Sequence, residues 1–243
     1  MGSQVGSAGP NADSLRAART QWSLVFDGAE GTLHGQEALA ELCVRYGFPV
    51  YAYLRRCGHA PLAAASVLHG FFHHLAAPRP PEVGPPPSFR HWLLEDLHRF
   101  LAHPERFDEL LTVARLSPTE LERRYAAEAE AGLAPEGAYH RDFAREVLAR
   151  AQQRLLNEAA QAGRQNLYDH LSPYLAREPA QGTYEMLAGT LGSRPLALVT
   201  AVKRLRQRFR ELVDAELAAT VASPDDLEGE RMALYAALAG ASR

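Results

Sequence analysis

Apolar side chains recur at three- and four-residue steps along most of the chain, which is the spacing that places them on one face of an α-helix. Helix-forming residues prevail, and runs in which β-branched and polar residues alternate are nearly absent. The pattern therefore predicts an all-α fold. The predicted helices cover about residues 13–27, 35–57 (bent near Pro49), 61–76, 88–103, 135–162, 165–175, 183–191, 195–212 and 224–238, with further short helices between 105 and 134.

Two segments interrupt the helical pattern and divide the chain. The proline-rich run 78–87 (PRPPEVGPPP) cannot be helical and predicts an irregular extended loop. The acidic, alanine-rich run AAEAEAGLAPEG is typical of a mobile linker. We therefore expect a disordered N-terminus (1–12), a first helical domain (13–115), a linker (116–138), a second helical domain (139–217) and a C-terminal helical extension (218–243).

The stretch from Thr183 to Leu212 has the pattern of a helix-turn-helix. A short helix with an apolar side ends at Gly192, which supplies a flexible turn, and Pro195 suits the first turn of the next helix. The inward side of that second helix is predicted to consist of Leu198, Ala201, Val202, Leu205 and Phe209. Its other side carries six positive charges without an intervening acid: Arg194, Lys203, Arg204, Arg206, Arg208 and Arg210.

Composition makes this basic cluster more informative. The 243-residue chain has a formal net charge of −3, so the cluster is a local feature of the kind that binds phosphate. The alternative interpretation is an ordinary amphipathic helix with a solvated arginine face.

Cys43 and Cys57 lack metal-type spacing and are interpreted as small buried residues in a reducing compartment. No membrane-spanning run or signal-peptide pattern is present, so we expect a cytoplasmic protein.

Other candidate chemistry is sparse. His69 and His73 have the i, i+4 spacing that can chelate zinc on a helix, but no third ligand is identifiable, so we expect no metal site. The chain contains no glycine-rich phosphate loop, nucleophile elbow or paired-carboxylate signature. We therefore expect neither a catalytic site nor a cofactor, and no enzymatic activity.

The order of these segments resembles the bacterial sigma-70 family, in particular its small extracytoplasmic-function (ECF) type. The resemblance covers roughly residues 20 to 240 and is carried by TQWSLV (20–25), ALAELCVRYGFPVYAYLRRCGHAP (38–61), GFFHHL (70–75), FRHWLLEDLHRFL (89–101), LYDHLSPYL (167–175), YEMLAGTLG (184–192) and AVKRLRQRFRELVDAELAATVASPDDLEGE (201–230).

The resemblance implies a promoter-recognition subunit of RNA polymerase. A region-2-like first domain would bind core polymerase and the melted promoter element, and a region-4-like second domain would place its second helix in the major groove. Arginine and lysine pair with guanine edges or phosphates, and glutamine with adenine. The implied DNA-contacting residues, called here the candidate DNA face, are Arg194, Ala197, Thr200, Lys203, Arg204, Gln207 and Arg208.

The first domain departs from the family where polymerase is bound. The helix that carries acids in typical members has none between residues 62 and 72. Such an apolar helix is covered either by another part of the chain or by a regulatory partner, or else it is a merely alanine-rich helix with exposed methyl groups. The residues assigned to a partner surface, called here the partner strip, are Leu62, Ala63, Ala65, Ser66, His69 and Gly70.

The melted-element segment departs as well. Residues 88–110 contain three arginines and five acids, a net charge of −2 that does not favour a phosphate backbone. Phe89 and Trp92 are candidates for stacking on unpaired bases, although aromatics at this spacing more often lie in a core. The sequence therefore leaves two interpretations of function open. The chain is either a sigma-like transcription factor that binds promoter DNA and polymerase, or a degenerate sigma-fold protein that acts as a protein-interaction module.

Overall fold

A computed structural model of the chain describes residues 33–77, 88–103, 117–128 and 132–240. Within these ranges the ordered elements are α-helices and short 3-10 turns, and the all-α prediction is confirmed. The predictions for the N-terminal helix and for the proline-rich loop lie outside the described residues. The helices are α1 (Leu33–Arg56), α2 (Pro61–Ala76), α3 (Phe89–Leu101), α4 (Pro118–Glu128), α5 (Pro135–Gln161), α6 (Gln165–Leu171), α7 (Thr183–Leu191), α8 (Pro195–Ala218) and α9 (Leu227–Ala239).

The chain divides into two compact units whose limits differ from the predicted domains. Unit 1 comprises the described residues within Met1–Tyr139 and Ala219–Asp226. Unit 2 comprises those within His140–Ala218 and Leu227–Arg243. The boundary therefore falls inside α5, and the C-terminal extension expected at 218–243 is shared between the units. None of the helices in the described ranges is both long and apolar enough to cross a membrane.

Unit 1 is built on the pair α1 and α2, which pack against each other. Its core is rich in aromatic rings: Phe71 lies 5.6 Å from Phe100 of α3, and Tyr46 of α1 lies 5.3 Å from Phe89 (ring centroids). All four side chains are almost completely buried. Helix α1 continues through Pro49, because a buried amphipathic face holds the helix together on both sides of the proline.

The predicted linker contains a packed helix. Helix α4 contacts both α1 and α2, and its Glu122 accepts hydrogen bonds from Tyr51 (2.6 Å) and from Arg55 (2.9 Å to Nε). The arginine holds the pKa of Glu122 below its usual value, and the tyrosine adds to this effect. Residues 118–128 therefore belong to unit 1. The sequence misled here because the charges that make the segment look solvated are partners for residues some seventy positions earlier.

The segment after α8 also belongs to unit 1. The backbone N–H of Phe89 donates to the carbonyl of Thr220 at 2.9 Å, and Ser88 forms an isolated antiparallel bridge with Val221. Thr220 and Val221 are buried. Ser88, the N-cap residue of α3, makes no side-chain cap hydrogen bond. A donor at the start of α3 is thus satisfied by a carbonyl more than one hundred residues away, which local sequence does not encode.

Unit 2 contains the second part of α5 together with α6, α7, α8 and α9. Glu216 of α8 is buried and accepts hydrogen bonds from Arg150 (3.1 Å) and Arg154 (2.9 Å) of α5. At the same end of α8, Asp214 pairs with Arg231 of α9 at 3.0 Å. These ion pairs join the C-terminal end of α8 to α5 and α9. The N-terminal half of α8 forms the second helix of the helix-turn-helix.

Candidate nucleic-acid interface

The turn between α7 and α8 forms as the sequence predicts. Gly192 has a φ of +59°, a left-handed conformation that is unfavourable for residues with a Cβ, and its N–H donates to the carbonyl of Ala188. The N–H of Ser193 reaches the same carbonyl at 3.0 Å. Pro195 then begins α8. Its missing N–H costs no hydrogen bond there, because the N–H groups of the first helical turn have no partner within the helix. The chain therefore reverses within three residues.

A small apolar core holds the two helices at this turn. Its buried members come from the end of α6, from α7 and from the first turns of α8, and they are Leu171, Leu187, Ala188, Leu198 and Val202. Ala201 and Leu205 are only partly buried against this cluster. Four of the five residues expected to face inward, Leu198, Ala201, Val202 and Leu205, therefore belong to this core or pack against it, whereas Phe209 is half-buried and is not among them.

Every residue of the candidate DNA face is exposed. Among the described residues, Arg194, Lys203 and Arg204 make no ion pair, so their charges are available to an external anion. Gln207 donates to Glu211 at 3.2 Å and accepts from Arg210 at 2.9 Å. Helix α9, which pairs with Asp214, leaves this part of α8 uncovered.

The six positive charges expected to be unneutralised are not equivalent. Arg206 is only 23 % exposed, and it donates to the carbonyls of Tyr174 (2.9 Å) and Arg177 (2.7 Å) and pairs with Glu178. Arg208 makes two hydrogen bonds to Glu158 (2.8 and 2.7 Å) and one to Glu211 (3.0 Å). The prediction of unpaired charge is therefore wrong for these two arginines, because their acidic partners, Glu178, Glu158 and Glu211, lie outside the basic run itself.

Part of the candidate DNA face borders a cavity. A cavity of about 610 Å³ lies between α5, α6 and α8, and its wall on α8 includes Ala197, Thr200, Arg204 and Arg208. Lys203 and Gln207 do not line this cavity. Positions four apart share one side of a helix, so the stripe from Ala197 to Arg208 turns toward α5. Sequence reasoning missed this cavity because its opposite wall comes from helices that no motif connects to α8.

Two exposed apolar side chains accompany the helix-turn-helix. Met186 of α7 is 64 % exposed, and Leu196, in the first turn of α8, is 77 % exposed. Leu196 lies in the first turn of the helix that the sigma-like resemblance would place in the major groove. Apolar side chains contact the methyl group of thymine in the major groove, so its exposure is compatible with base contact.

The single-strand stacking role assigned to Phe89 and Trp92 is wrong. Phe89 is fully buried and Trp92 is 2 % exposed, and their ring centroids lie 5.3 Å apart within unit 1. Neither ring is accessible to an unpaired base. Both residues are core residues, the interpretation that aromatic spacing on an amphipathic helix favours.

The partner strip is divided by the structure. Leu62, Ala63 and Ser66 are exposed, with Leu62 at 77 %. Ala65 and His69 are buried, and a Cβ at Gly70 would lie 3.4 Å from the ring of Phe100. Another part of the same chain therefore covers one side of α2, and the assignment of these last three residues to a partner surface is wrong.

The cysteines agree with the expectation of burial at one position only. Cys43 is buried, and burial raises the pKa of its thiol to about 12, whereas Cys57 is exposed at the end of α1. Within the described ranges, no group of three or more His, Cys, Asp or Glu side chains is placed to hold a metal ion.

Comparison with known proteins yields no relative: the chain matches no protein-family model, no curated protein and no solved structure.

Proposed function

We propose that this protein is a cytoplasmic, sigma-like transcription factor that binds promoter DNA through α7 and α8. One observation carries the proposal: a packed helix-turn-helix presents Arg194, Lys203 and Arg204, all exposed and without ion pairs among the described residues. Cations without internal partners are the groups that replace counterions on a phosphate backbone. The likeness of the segment order to ECF sigma factors supports the same function.

The roles of the residues follow from their chemistry. Lys203 and Arg204 are adjacent on α8 and would contact phosphates or guanine edges, with Arg194 reaching the backbone from the turn. Leu196 would contact a thymine methyl group. Because Gln207 is already bonded on both sides, it reads adenine only if Glu211 and Arg210 release it. Base readout therefore rests on few contacts.

The test is the binding of duplex DNA by the full-length chain at several salt concentrations. Replacing Lys203 and Arg204 together by alanine should lower affinity and reduce the slope of log affinity against log salt by about 0.9 for each lost phosphate contact. Arg123→Ala, an exposed arginine of α4 in unit 1, is the matched control and should leave both quantities unchanged. Equal affinity of the double variant and wild type would place the interface elsewhere.

A second candidate function is that of a protein-interaction module without polymerase engagement. It is favoured by the exposed apolar start of α2, where Leu62 lies beside Ala63 and the first turn contains no acid. Acid–base pairing with the polymerase clamp mainly sets association rate and orientation, so its loss predicts weak binding. Co-purification with core polymerase separates the two: tight, salt-sensitive retention supports the transcription factor, and absence of both retention and DNA binding supports the module.

A further inference from the structure

The cavity in unit 2 has the build of a small-molecule site. Its volume of about 610 Å³ lies within the range typical of ligand pockets, and such pockets combine an apolar interior with a few polar groups. The apolar part comes from three helices, and its larger members include Leu155, Leu167, Tyr168, Leu171 and Leu205. The single ring hydroxyl, on Tyr168, already reaches the carbonyl of Gln152 at 3.4 Å.

The charged groups around this apolar interior have an excess of positive charge. They are Arg164, Arg204 and Arg208 against one acid, Glu158. Arg208 engages Glu158 through two hydrogen bonds, and this contact lowers the pKa of the carboxyl, so the acid stays ionised and paired. Arg164 and Arg204 make no ion pair within the described part of the chain. An anionic group entering the cavity would therefore meet two cations without intramolecular competitors.

We propose that this cavity binds an amphipathic monocarboxylate, with an aliphatic body against the apolar walls and its carboxylate between Arg164 and Arg204. The volume limits the ligand to a single chain or a small ring system. A cationic amphiphile of the same length is disfavoured by the arginines, and an uncharged one leaves them without a partner.

The same ligand would regulate DNA binding, a consequence that rests on the proposed function. Ala197, Thr200 and Arg204 belong both to the candidate DNA face and to the cavity wall. A carboxylate held by Arg204 withdraws that cation from DNA. Because coupling between two ligands is reciprocal, DNA must weaken binding of the carboxylate by the same factor that the carboxylate weakens binding of DNA.

The experiment measures binding of dodecanoate to the full-length protein by calorimetry, first without DNA. We expect saturable binding at one site. Ala159→Phe places a ring where the aliphatic chain would lie and should abolish dodecanoate binding, whereas Ala160→Phe, on an exposed neighbour outside the cavity, should not. Arg164→Gln, at an exposed position, should weaken dodecanoate binding about fivefold, the upper range for an exposed charge pair.

Arg194→Gln separates this proposal from the DNA proposal. Arg194 does not line the cavity, so its loss should weaken DNA binding and leave dodecanoate binding unchanged. Arg164→Gln should weaken dodecanoate binding and leave DNA binding unchanged. Wild-type protein that binds DNA but not dodecanoate overturns the cavity proposal alone. Dodecanoate binding with the expected variant pattern, in a protein that does not bind DNA, supports the cavity and removes the proposed function.

Non-specific adsorption is recognised by its lack of selectivity. Equal affinities for all variants, or binding of dodecyltrimethylammonium as strong as that of dodecanoate, would overturn the proposal. With DNA present, saturating dodecanoate should lower DNA affinity in wild type and leave it unchanged in Ala159→Phe. An equal loss in both proteins overturns the regulatory coupling.

Discussion

Two arginines on α8, two positions apart, are expected to respond to mutation in opposite ways. Arg206 donates to the carbonyls of Tyr174 and Arg177 and pairs with Glu178, so it fastens the segment after α6 to α8. Arg204 is exposed and makes no ion pair among the described residues. Arg206→Ala should destabilise the protein without weakening its intrinsic DNA affinity. Arg204→Ala should weaken DNA binding without lowering stability.

The size of the destabilisation follows from the contacts that are lost. Hydrogen bonds from a charged donor contribute about 1.5–3 kcal/mol each, and the lower end applies because Arg206 is partly exposed. The pair with Glu178 adds little, since that carboxylate is 81 % exposed. The loss should therefore be about 3 kcal/mol, which corresponds to a fall in Tm of about 6–12 °C for a chain of this size.

The assay is thermal unfolding followed by circular dichroism, with DNA binding measured well below the Tm of each variant. Arg204→Ala is the matched control for stability and should unfold within about 2 °C of wild type, because exposed substitutions change stability by under about 0.5 kcal/mol. An Arg206→Ala protein that unfolds at the wild-type temperature but has lost DNA affinity would refute the reasoning and make Arg206 a DNA contact.

Two further predictions concern unit 1. Ala65→Glu should cost more than about 3 kcal/mol or prevent folding, because it places a carboxylate at a position that is 3 % exposed, whereas Ala63→Glu on the exposed side should be nearly neutral in urea unfolding. Equal stabilities would show that α2 is not packed as described. Cys57 should react rapidly with a thiol reagent in the native protein and Cys43 only after unfolding, since burial raises the pKa of Cys43 to about 12. Mass spectrometry of the labelled peptides checks this order, and early labelling of Cys43 would contradict it.

The amino-acid sequence by itself determined the helices of the described ranges and the turn between α7 and α8. Both depend on neighbours in the chain: apolar spacing selects the buried side of a helix, and Gly192 followed by Pro195 ends one helix and begins the next. The inward positions of α8, Leu198 and Val202, follow from the same local periodicity. These features were predictable because the interactions that decide them span only a few residues.

Tertiary structure alone decided which of the polar and aromatic side chains remain available to bind another molecule. Arg206 and Arg208 look like Arg204 in sequence, but acids and carbonyls 28 to 50 positions earlier engage the first two. The spacing of aromatics on α3 favoured a core position for Phe89, but only packing within unit 1 decided that its ring is fully buried. The cavity beside α8 likewise exists only where three helices meet. The physical reason is common to all of these: charge pairing, burial and cavities depend on distances in space, and distant segments of the chain set those distances.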